Sequence, residues 1–405
     1  MRYRWIAILL VLMLALSACN TTPLTSPLPA PTPTEMMFYT QSDTIPAYPG
    51  PGPQRPSQGL APDTDNVPIA LVHKYFFPIM FGNRPPSKLG WEAASDGQAL
   101  AARTAILALS PGTVRTGIAW KDVEPIRGGG YIWSASKDAH VNLLAEGGNR
   151  IIGILNFPPQ WAQVLPGCSP VAPTYYYAWL DYVKATVERY GDRITVWEII
   201  NEADAGISPD IRGFGCWGDA SVADQGGTVY GKFASMTAKG IRKIQPDAII
   251  ISSGLAMGCD VAGQWGSCTG ASLDFIRAAL PWMEDDINGV GIHAYEYWKL
   301  VPPTETEMLN RKVAALRNIT DLPIWLTEGG FLCWRGTDPF LCNSLAYEQA
   351  QAEYVRLWAE SCRRSGLESC VAYSLTRNTW AHADLIGPNQ VPRLGYYVLQ
   401  TELMK

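Results

Sequence analysis

The sequence of 405 residues predicts a single (β/α)8 barrel that follows an N-terminal leader and a tether. Strand-like apolar runs alternate with amphipathic, helix-like runs, and eight such pairs fill the chain after the tether. Two of the strands end next to a glutamate, Glu202 and Glu328, and barrels carry their functional groups at the carboxyl ends of the strands. The competing doubly wound sheet would need a glycine-rich phosphate loop after an early strand, and the sequence has none.

Residues 1–18 have the features of an export signal. Arg2 and Arg4 precede an apolar run at residues 5–16, which is too short for a membrane-spanning helix and has no stop-transfer pattern behind it. The order Leu-Ser-Ala-Cys at residues 16–19 resembles the lipobox of bacterial lipoproteins, which implies a lipid anchor at Cys19. The same small residues suit ordinary signal peptidase, which would give a secreted protein. Either route predicts an extracytoplasmic, oxidising location.

Residues 19–65 are rich in Pro, Thr and Ser, a composition that predicts an extended tether because it cannot bury a core. Residues 66–405 are predicted to form the barrel domain. Hydrophobic residues make up 47% of the sequence and charged residues 17%, which is typical of a globular domain with a large core. The net charge of −5 provides no basic field for nucleic acid, so we exclude nucleic acid as a partner.

The nine cysteines predict disulfides, because removing Cys19 leaves an even number in an oxidising compartment. Three pairs are near neighbours in sequence, and the two remaining cysteines make the fourth: Cys259 with Cys268, Cys333 with Cys342, Cys362 with Cys370, and Cys168 with Cys216. Spacing leaves the connectivity open, and buried free thiols are the alternative. Zinc is not expected, since there is no Cys-x-x-Cys pair and there are only four His.

The strand predictions rest on short, apolar and β-branched runs between turn residues. They cover residues 67–77, 113–119, 150–156, 194–201, 248–253, 287–293, 323–328 and 370–376. The helix predictions rest on amphipathic stretches with recognisable ends. They cover residues 136–147, 174–191, 229–244, 344–364 and 392–405.

The fourth and seventh strands carry the clearest motifs. Residues 196–204 read Val-Trp-Glu-Ile-Ile-Asn-Glu-Ala-Asp, a strand that ends in the pair Asn201-Glu202, and residues 323–330 read Pro-Ile-Trp-Leu-Thr-Glu-Gly-Gly, which contains Glu328. This combination resembles the clan A glycoside hydrolases. The resemblance implies that Glu202 is the general acid/base and Glu328 the nucleophile of a retaining enzyme, whose two carboxyl groups lie roughly 5–5.5 Å apart.

Further residues match the same clan one by one. Arg115 on the second strand matches the arginine that keeps the nucleophile ionised, and a charge inside a barrel needs such a partner. His293 and Tyr295 match the clan's His-x-Tyr, in which the tyrosine hydrogen-bonds the nucleophile. The resemblance also implies that Asn201 binds the sugar 2-hydroxyl group and that Trp380, beyond the eighth strand, forms the floor of the −1 sugar subsite.

Two loops extend the resemblance. Residues 120–133 resemble the "W…EP…G-Y-W" loop after the second strand, in which we interpret Glu124 as structural. Residues 158–161 resemble the Pro-x-Trp of family 39 xylosidases, with Trp161 as a sugar platform. The histidine that family 5 cellulases carry near the end of the third strand is absent, with Asn156 close to that place. The resemblance therefore holds for the clan and fixes no family.

These motifs predict a retaining hydrolase of O-glycosidic bonds in oligo- or polysaccharides that uses no metal or cofactor. Two alternatives share the scaffold: a non-catalytic carbohydrate-binding surface lipoprotein, and a transglycosylase with the same site, which differs in its acceptor. A disused site would be expected to have lost Glu202, Glu328 or Arg115, and the sequence retains all three. Sugar identity, linkage and exo or endo action depend on loop shapes that these motifs do not specify.

Overall fold

The computed structural model describes residues 85–93, 95–165, 170–205, 217, 226–257, 265–333, 341–376, 382–387 and 390–405. Within them, eight strands form a closed barrel in which each strand pairs with its neighbours in sequence and the eighth pairs with the first. All of these pairings are parallel. The barrel belongs to a compact unit that spans Pro78–Lys405. The predicted (β/α)8 fold is confirmed.

The strands have between four and nine residues. They are β1 Leu89–Glu92, β2 Thr113–Ala119, β3 Arg150–Asn156, β4 Val196–Ile199, β5 Ile249–Leu255, β6 Gly289–Tyr297, β7 Ile324–Leu332 and β8 Ser369–Tyr373. The bounds of β2 and β3 are those predicted. The strands β4 to β8 overlap the predicted runs, and β6 and β7 extend four residues further at their carboxyl ends, towards the candidate site.

The first strand differs from the prediction. Residues 67–77 lie outside the described part of the chain, and Leu89–Glu92 is the strand that pairs with both β2 and β8. The prediction of the first strand was therefore wrong. The physical reason is that this strand has only four residues and includes Gly90, whose missing side chain lets the backbone pass the carbonyl of Thr113; a Cβ there would lie 1.5 Å from the carbonyl oxygen. A run of this length gives no periodic signal.

The helices lie between the strands, as a βα repeat requires. They are α1 Asp96–Ala101, α2 Arg103–Leu109, α3 Trp120–Val123, α4 Ala135–Glu146, α5 Tyr176–Tyr190, α6 Gly227–Arg242, α7 Trp265–Met283, α8 Glu307–Arg317, α9 Leu345–Arg364 and α10 Leu394–Leu403. The five predicted helices correspond to α4, α5, α6, α9 and α10. The side chains of Ser134 and Ser344 cap α4 and α9 by accepting hydrogen bonds from main-chain N–H groups. Among the described helices, none has the length and apolar character to cross a membrane.

The hydrophobic core has two parts. A small cluster fills the inside of the barrel with one buried residue from each of five strands: Ile152, Val196, Ile251, Trp325 and Val371. A larger cluster lies between the strands and the helices. The packed interior makes the barrel a rigid support rather than a pore, so the strand ends can hold side chains in fixed positions.

Buried tyrosines fasten helices to the strand ends that carry the site. Tyr182 on α5 donates a hydrogen bond to the carbonyl of Ile118 on β2, at 2.6 Å. Tyr230 on α6 donates to the carbonyl of Ile199 on β4, at 3.0 Å, and accepts from the N–H of Ser253 on β5, at 2.6 Å. Tyr230 therefore joins β4 to β5 directly beside the chain that leads to Glu202.

Two of the predicted disulfides are present. Cys333 pairs with Cys342, with a Cα–Cα distance of 5.7 Å, and Cys362 pairs with Cys370, with a distance of 6.3 Å. The second bridge ties the end of α9 to β8. The predicted pairs of Cys259 with Cys268 and of Cys168 with Cys216 rest on side chains outside the described part of the chain, as does the anchor at Cys19.

Candidate active site

The backbone after β4 leaves the strand conformation in order to present Glu202. Ile200 and Glu202 have positive φ angles, of 65° and 44°. Both lie in the left-handed region, which costs a non-glycine residue free energy and persists where neighbouring contacts hold it. Those contacts come from β5: the N–H of Glu202 donates to the carbonyl of Gly254, at 3.2 Å, and the N–H of Ala203 donates to Ser253 Oγ, at 2.9 Å.

A bulge in β7 re-aims Glu328. The pairing with β6 runs from Ile292 opposite Leu326 directly to His293 opposite Glu328, so that β7 contains one extra residue, Thr327. A bulge of this kind bends a strand and turns its side chains to a new direction. It places Glu328 beside His293, at the carboxyl end of the barrel.

Arg115 on β2 organises the floor of the site, and each of its five N–H bonds has an acceptor. Nε and Nη2 donate to the two oxygens of Glu198, at 2.7 and 3.0 Å, and Nη2 also donates to Asn201 Oδ1, at 2.7 Å. Nη1 donates to Glu92 at 2.8 Å and to Glu328 at 2.5 Å. One guanidinium is thus shared among three carboxyl groups, of which the Glu198 side chain is fully buried.

The two oxygens of Glu328 have separate partners. Arg115 donates to Oε1, and the hydroxyl group of Tyr295 on β6 donates to Oε2. His293 Nδ1 lies 3.5 Å from Oε2. The contacts that the clan resemblance implies for Arg115 and Tyr295 are therefore present.

Glu202 contacts His293, whose Nδ1 lies 2.8 Å from Glu202 Oε1. One oxygen of Glu202, one oxygen of Glu328 and a ring nitrogen of His293 all lie within 4.8 Å of one another. This approach of the two carboxylate oxygens agrees with the retaining arrangement, in which the carboxyl groups lie roughly 5–5.5 Å apart. The other edge of the His293 ring packs on Gly254, where an added Cβ would lie 2.2 Å from Nε2.

The two glutamates differ in the direction of their pKa shifts. Burial raises the pKa of Glu202 above its ordinary value; the contact with His293 opposes this shift, and the negative charge of Glu328 adds to it. Burial also acts to raise the pKa of Glu328, but the charges of His293 and Arg115, together with the hydrogen bond from Tyr295, outweigh it and hold that pKa below its ordinary value. The surroundings therefore favour the protonated form more at Glu202 than at Glu328.

Among the described residues, Glu202, His293 and Glu328 each place one possible metal-ligand atom within 4.8 Å of the other two. Arg115 and Tyr295 already direct an N–H and an O–H at the two oxygens of Glu328. A cation bound to Glu328 would compete with a guanidinium held by three carboxyl groups. The donor set fits proton transfer and nucleophilic attack better than metal binding.

The other predicted site residues have mixed outcomes. Asn201 is buried and its amide oxygen accepts from Arg115. Trp161 is half-buried in an aromatic cluster: it packs edge-on against Trp120 at 5.1 Å and Tyr175 at 5.4 Å. Trp380 lies outside the described residues.

Glu124 has the structural role that we expected. Its carboxylate accepts hydrogen bonds from Trp120 Nε1 and from the N–H of Gly128, both at 3.0 Å. It therefore fixes the loop after β2.

Two site residues were missed by the sequence analysis. Glu92 at the end of β1 shares Arg115 Nη1 with Glu328. Tyr373 at the end of β8 pairs in register with Glu92 and packs edge-on against Tyr295, with ring centroids 6.4 Å apart. Neither residue stands in a motif, so its only signal would have been its position at a strand end, and β1 itself was misplaced.

Comparison with known proteins agrees with the fold. No protein-family model matches the chain, and no curated protein sequence matches it. A family 39 glycoside hydrolase from the gut symbiont Bacteroides cellulosilyticus WH2 superposes with a TM-score of 0.53 at 18% identity, over 79% of this chain and 64% of that one. A psychrophilic family 10 endo-β-1,4-xylanase gives 0.54 at 16% identity, over 78% and 96%. A hyperthermophilic β-glucosidase from Pyrococcus furiosus gives 0.56 at 12% identity, over 76% and 84%.

These similarities show the fold class. The chain has a (β/α)8 barrel, as these glycoside hydrolases do, and it spans less than two thirds of the length of the family 39 structure. At such low identities the likeness carries neither the activity nor the substrate of those enzymes to this chain. The chemistry has to be argued from the side chains of the site.

Proposed function

We propose that the protein is a retaining glycoside hydrolase that cleaves O-glycosidic bonds of oligo- or polysaccharides by a double displacement. The observation that carries this proposal is the pair Glu202 and Glu328, with carboxylate oxygens within 4.8 Å of each other and pKa shifts in opposite directions. Retaining glycosidases need a protonated and an ionised carboxyl group at this separation. The shared barrel fold is consistent with the proposal but does not by itself decide between chemistries.

In the first step Glu328 attacks the anomeric carbon while Glu202 gives its proton to the leaving oxygen. The bond from the anomeric carbon to the leaving group breaks, and an ester forms between the sugar and Glu328. In the second step Glu202, now ionised, removes a proton from water, which attacks the anomeric carbon and releases Glu328. Arg115 and Tyr295 keep Glu328 oriented through both steps, and Asn201 is proposed to bind the sugar 2-hydroxyl group.

The aromatic residues are proposed to bind the sugar rings by stacking on their apolar faces. We assign this role to Trp161 and Trp380, as the resemblance implies. Tyr373 is an additional candidate, because its ring lies beside Tyr295, whose hydroxyl group donates to Glu328.

The proposal is tested by trapping the covalent intermediate. Aryl glycosides of several sugars identify a substrate, and its 2-deoxy-2-fluoro analogue with a good leaving group should then label the protein. The fluorine slows both steps, while the good leaving group keeps the first step fast. Peptide mapping is expected to find the label on Glu328, and the product of the wild type should retain the anomeric configuration.

Other outcomes separate the alternatives. A label on another residue or an inverted product would contradict the assigned roles. A wild type without activity on every glycoside would favour a carbohydrate-binding lipoprotein. Transfer of the sugar to an added alcohol in preference to water would favour a transglycosylase.

We also propose that the protein is anchored in a membrane through a lipid on Cys19. The support is the order Leu-Ser-Ala-Cys at residues 16–19 behind a basic and apolar leader. Cys19→Ser should move the protein from the membrane fraction to the soluble fraction of its host. If the variant stays in the membrane fraction and no acyl group is found on Cys19 of the wild type, the anchor does not exist.

A further inference from the structure

Lys312 on α8 is a buried amine, with 4% of the residue exposed. Its Nζ donates hydrogen bonds to two main-chain carbonyls, those of Ala256 at 2.6 Å and of His293 at 2.8 Å. Lysine is rarely buried unless it is well paired, because removing an ammonium group from water is costly. Its contacts join the residue after β5 to the histidine on β6 that contacts Glu202.

Asp204 holds the same segment from the other side. Its two carboxylate oxygens accept hydrogen bonds from the consecutive N–H groups of Ala256, at 2.8 Å, and Met257, at 2.9 Å. Met257 has a φ angle of 44°, in the left-handed region. The segment 256–257 is thus fixed in a strained conformation between an acidic side chain on one side and a basic one on the other.

These contacts form a closed circuit around Glu202. The chain runs from Glu202 to Asp204, Asp204 contacts Ala256, and Lys312 links Ala256 to the carbonyl of His293. His293 Nδ1 then returns to Glu202 at 2.8 Å. The ammonium group of Lys312 therefore contacts the main chain of the histidine that meets Glu202 and the main chain of the segment that Asp204 holds.

We propose that Lys312 and Asp204 are positioning residues for Glu202, an inference that rests on the proposed role of Glu202 as general acid/base. They act through His293 and through segment 256–257 and do not contact the substrate. The hydrogen bonds that orient Glu328 come from Arg115 and Tyr295, and His293 Nδ1 lies 3.5 Å from Glu328 against 2.8 Å from Glu202, so the circuit acts mainly on Glu202.

The test uses the dependence of the rate on the leaving group. Lys312→Met keeps the unbranched apolar part of the side chain and removes the ammonium group. For aryl glycosides of the sugar that the wild type cleaves fastest, kcat/KM with a poor leaving group such as phenol should fall by about 10- to 100-fold, because a misplaced acid protonates it badly. With 2,4-dinitrophenol, which leaves without a proton, kcat/KM should change by less than about threefold.

Asp204→Asn provides a second variant. It keeps one of the two acceptor oxygens, so it is expected to fold and to show the same selective loss to a smaller extent. If Lys312→Met does not fold, this variant decides the question. Thermal unfolding of each variant shows that the folded protein is being assayed.

The matched control is Thr306→Val on the same helix. Thr306 is the N-cap residue of α8, and its hydroxyl donates to Ser361 Oγ at 2.7 Å, so the substitution loosens α8 without removing a member of the circuit. It should affect both substrates equally. A selective loss in Thr306→Val, or an equal loss on both substrates in the Lys312 and Asp204 variants, would overturn the inference alone. A wild type without activity would overturn the proposed function and this inference with it.

Discussion

The two glutamates of the site are held in different ways. Glu328 lies within β7 and is fixed by side chains, with Arg115 on one oxygen and Tyr295 on the other. Glu202 lies beyond β4 on a strained backbone and is fixed through main-chain contacts to β5 and through His293. Side-chain hydrogen bonds from Arg115 and Tyr295 therefore fix the position of Glu328, whereas the main-chain conformation of residues 200–203 fixes the position of Glu202.

This difference explains how one cavity can favour two protonation states. Burial acts to raise the pKa of both carboxyl groups. For Glu328 the charges of His293 and Arg115, together with the hydrogen bonds from Tyr295 and Arg115, outweigh this effect. Glu202 has the hydrogen bond with His293, and its pKa stays raised. The two pKa values therefore shift in opposite directions because Glu328 contacts Arg115 and Tyr295 in addition to His293, whereas Glu202 has His293 and faces the negative charge of Glu328.

The largest effects should come from removing each carboxyl group in turn. Glu328→Ala should lose at least about 10⁴-fold in kcat/KM on every aryl glycoside, because no group remains to attack the anomeric carbon. Glu202→Ala should lose about 10²- to 10⁴-fold where the leaving group needs a proton and much less with 2,4-dinitrophenol. Steady-state kinetics with a series of phenols measures the difference.

Added azide gives the control for the variants Glu328→Ala and Glu202→Ala. It should restore turnover to Glu202→Ala by forming a glycosyl azide of retained configuration, since the covalent intermediate no longer needs a general base. Equal behaviour of the two variants towards leaving groups and azide would contradict the division of roles.

The parts of the fold that the sequence predicted are those with local signals. The strands β2 and β3 were placed correctly because each is a seven-residue, β-branched run with turn residues before it, Ser110-Pro111-Gly112 before one and Gly147-Gly148 before the other. The strand β1 was missed because a four-residue strand with a glycine inside it has no periodicity. Its identity depends on pairing with strands that are distant in sequence.

The site residues likewise fall into those that a local sequence motif predicted and those that it did not. Glu202 and Glu328 were found because each lies in a motif at the end of a strand. Glu92, Asp204 and Lys312 were not, because their importance depends on contacts across the barrel: Glu92 meets Arg115 on the next strand, and Lys312 reaches back 56 residues to Ala256. Sequence patterns report what is local, and these contacts exist only after the barrel has closed.

Removing the shared cation should cost the most stability. Arg115→Met leaves Glu92, Glu198 and Glu328 buried without their guanidinium, and breaking a buried ion pair typically costs about 3–5 kcal/mol. Arg115 lowers the pKa of Glu328, so in the variant that pKa should rise. Protonated carboxyl groups need no cation, and the loss should therefore be largest above pH 7 and smaller near pH 4. Chemical denaturation at several pH values measures it.

Arg103→Met is the control for this variant. Arg103 pairs with Glu146 at 2.6 Å, but both side chains are about half exposed, so its removal should cost less than about 1 kcal/mol at any pH. A deficit in Arg115→Met that does not change with pH would mean that the guanidinium acts through packing and not through charge.

The smallest effect should come from Glu92, which shares Arg115 Nη1 with Glu328. Burial raises the pKa of Glu92 to about 7, with Arg115 opposing the shift and the charges of Glu328 and Glu198 adding to it. The ordinary value of 4.5 applies in the unfolded chain. Ionised Glu92 is therefore disfavoured by folding, and this cost is absent below pH 4.5, grows between pH 4.5 and 7, and is complete above pH 7.

Glu92→Gln keeps an acceptor for Arg115 and removes the ionisation. The variant should match the wild type in unfolding free energy near pH 4.5 and exceed it at pH 8 by on the order of 1–3 kcal/mol. Glu146→Gln, at the exposed pair with Arg103, should show no such trend. A Glu92→Gln variant that is less stable than the wild type at pH 8 would mean that ionised Glu92 is needed to hold Arg115. The guanidinium would then depend on the full charge of all three carboxylates at neutral pH, whereas a pKa of about 7 leaves Glu92 only partly ionised there.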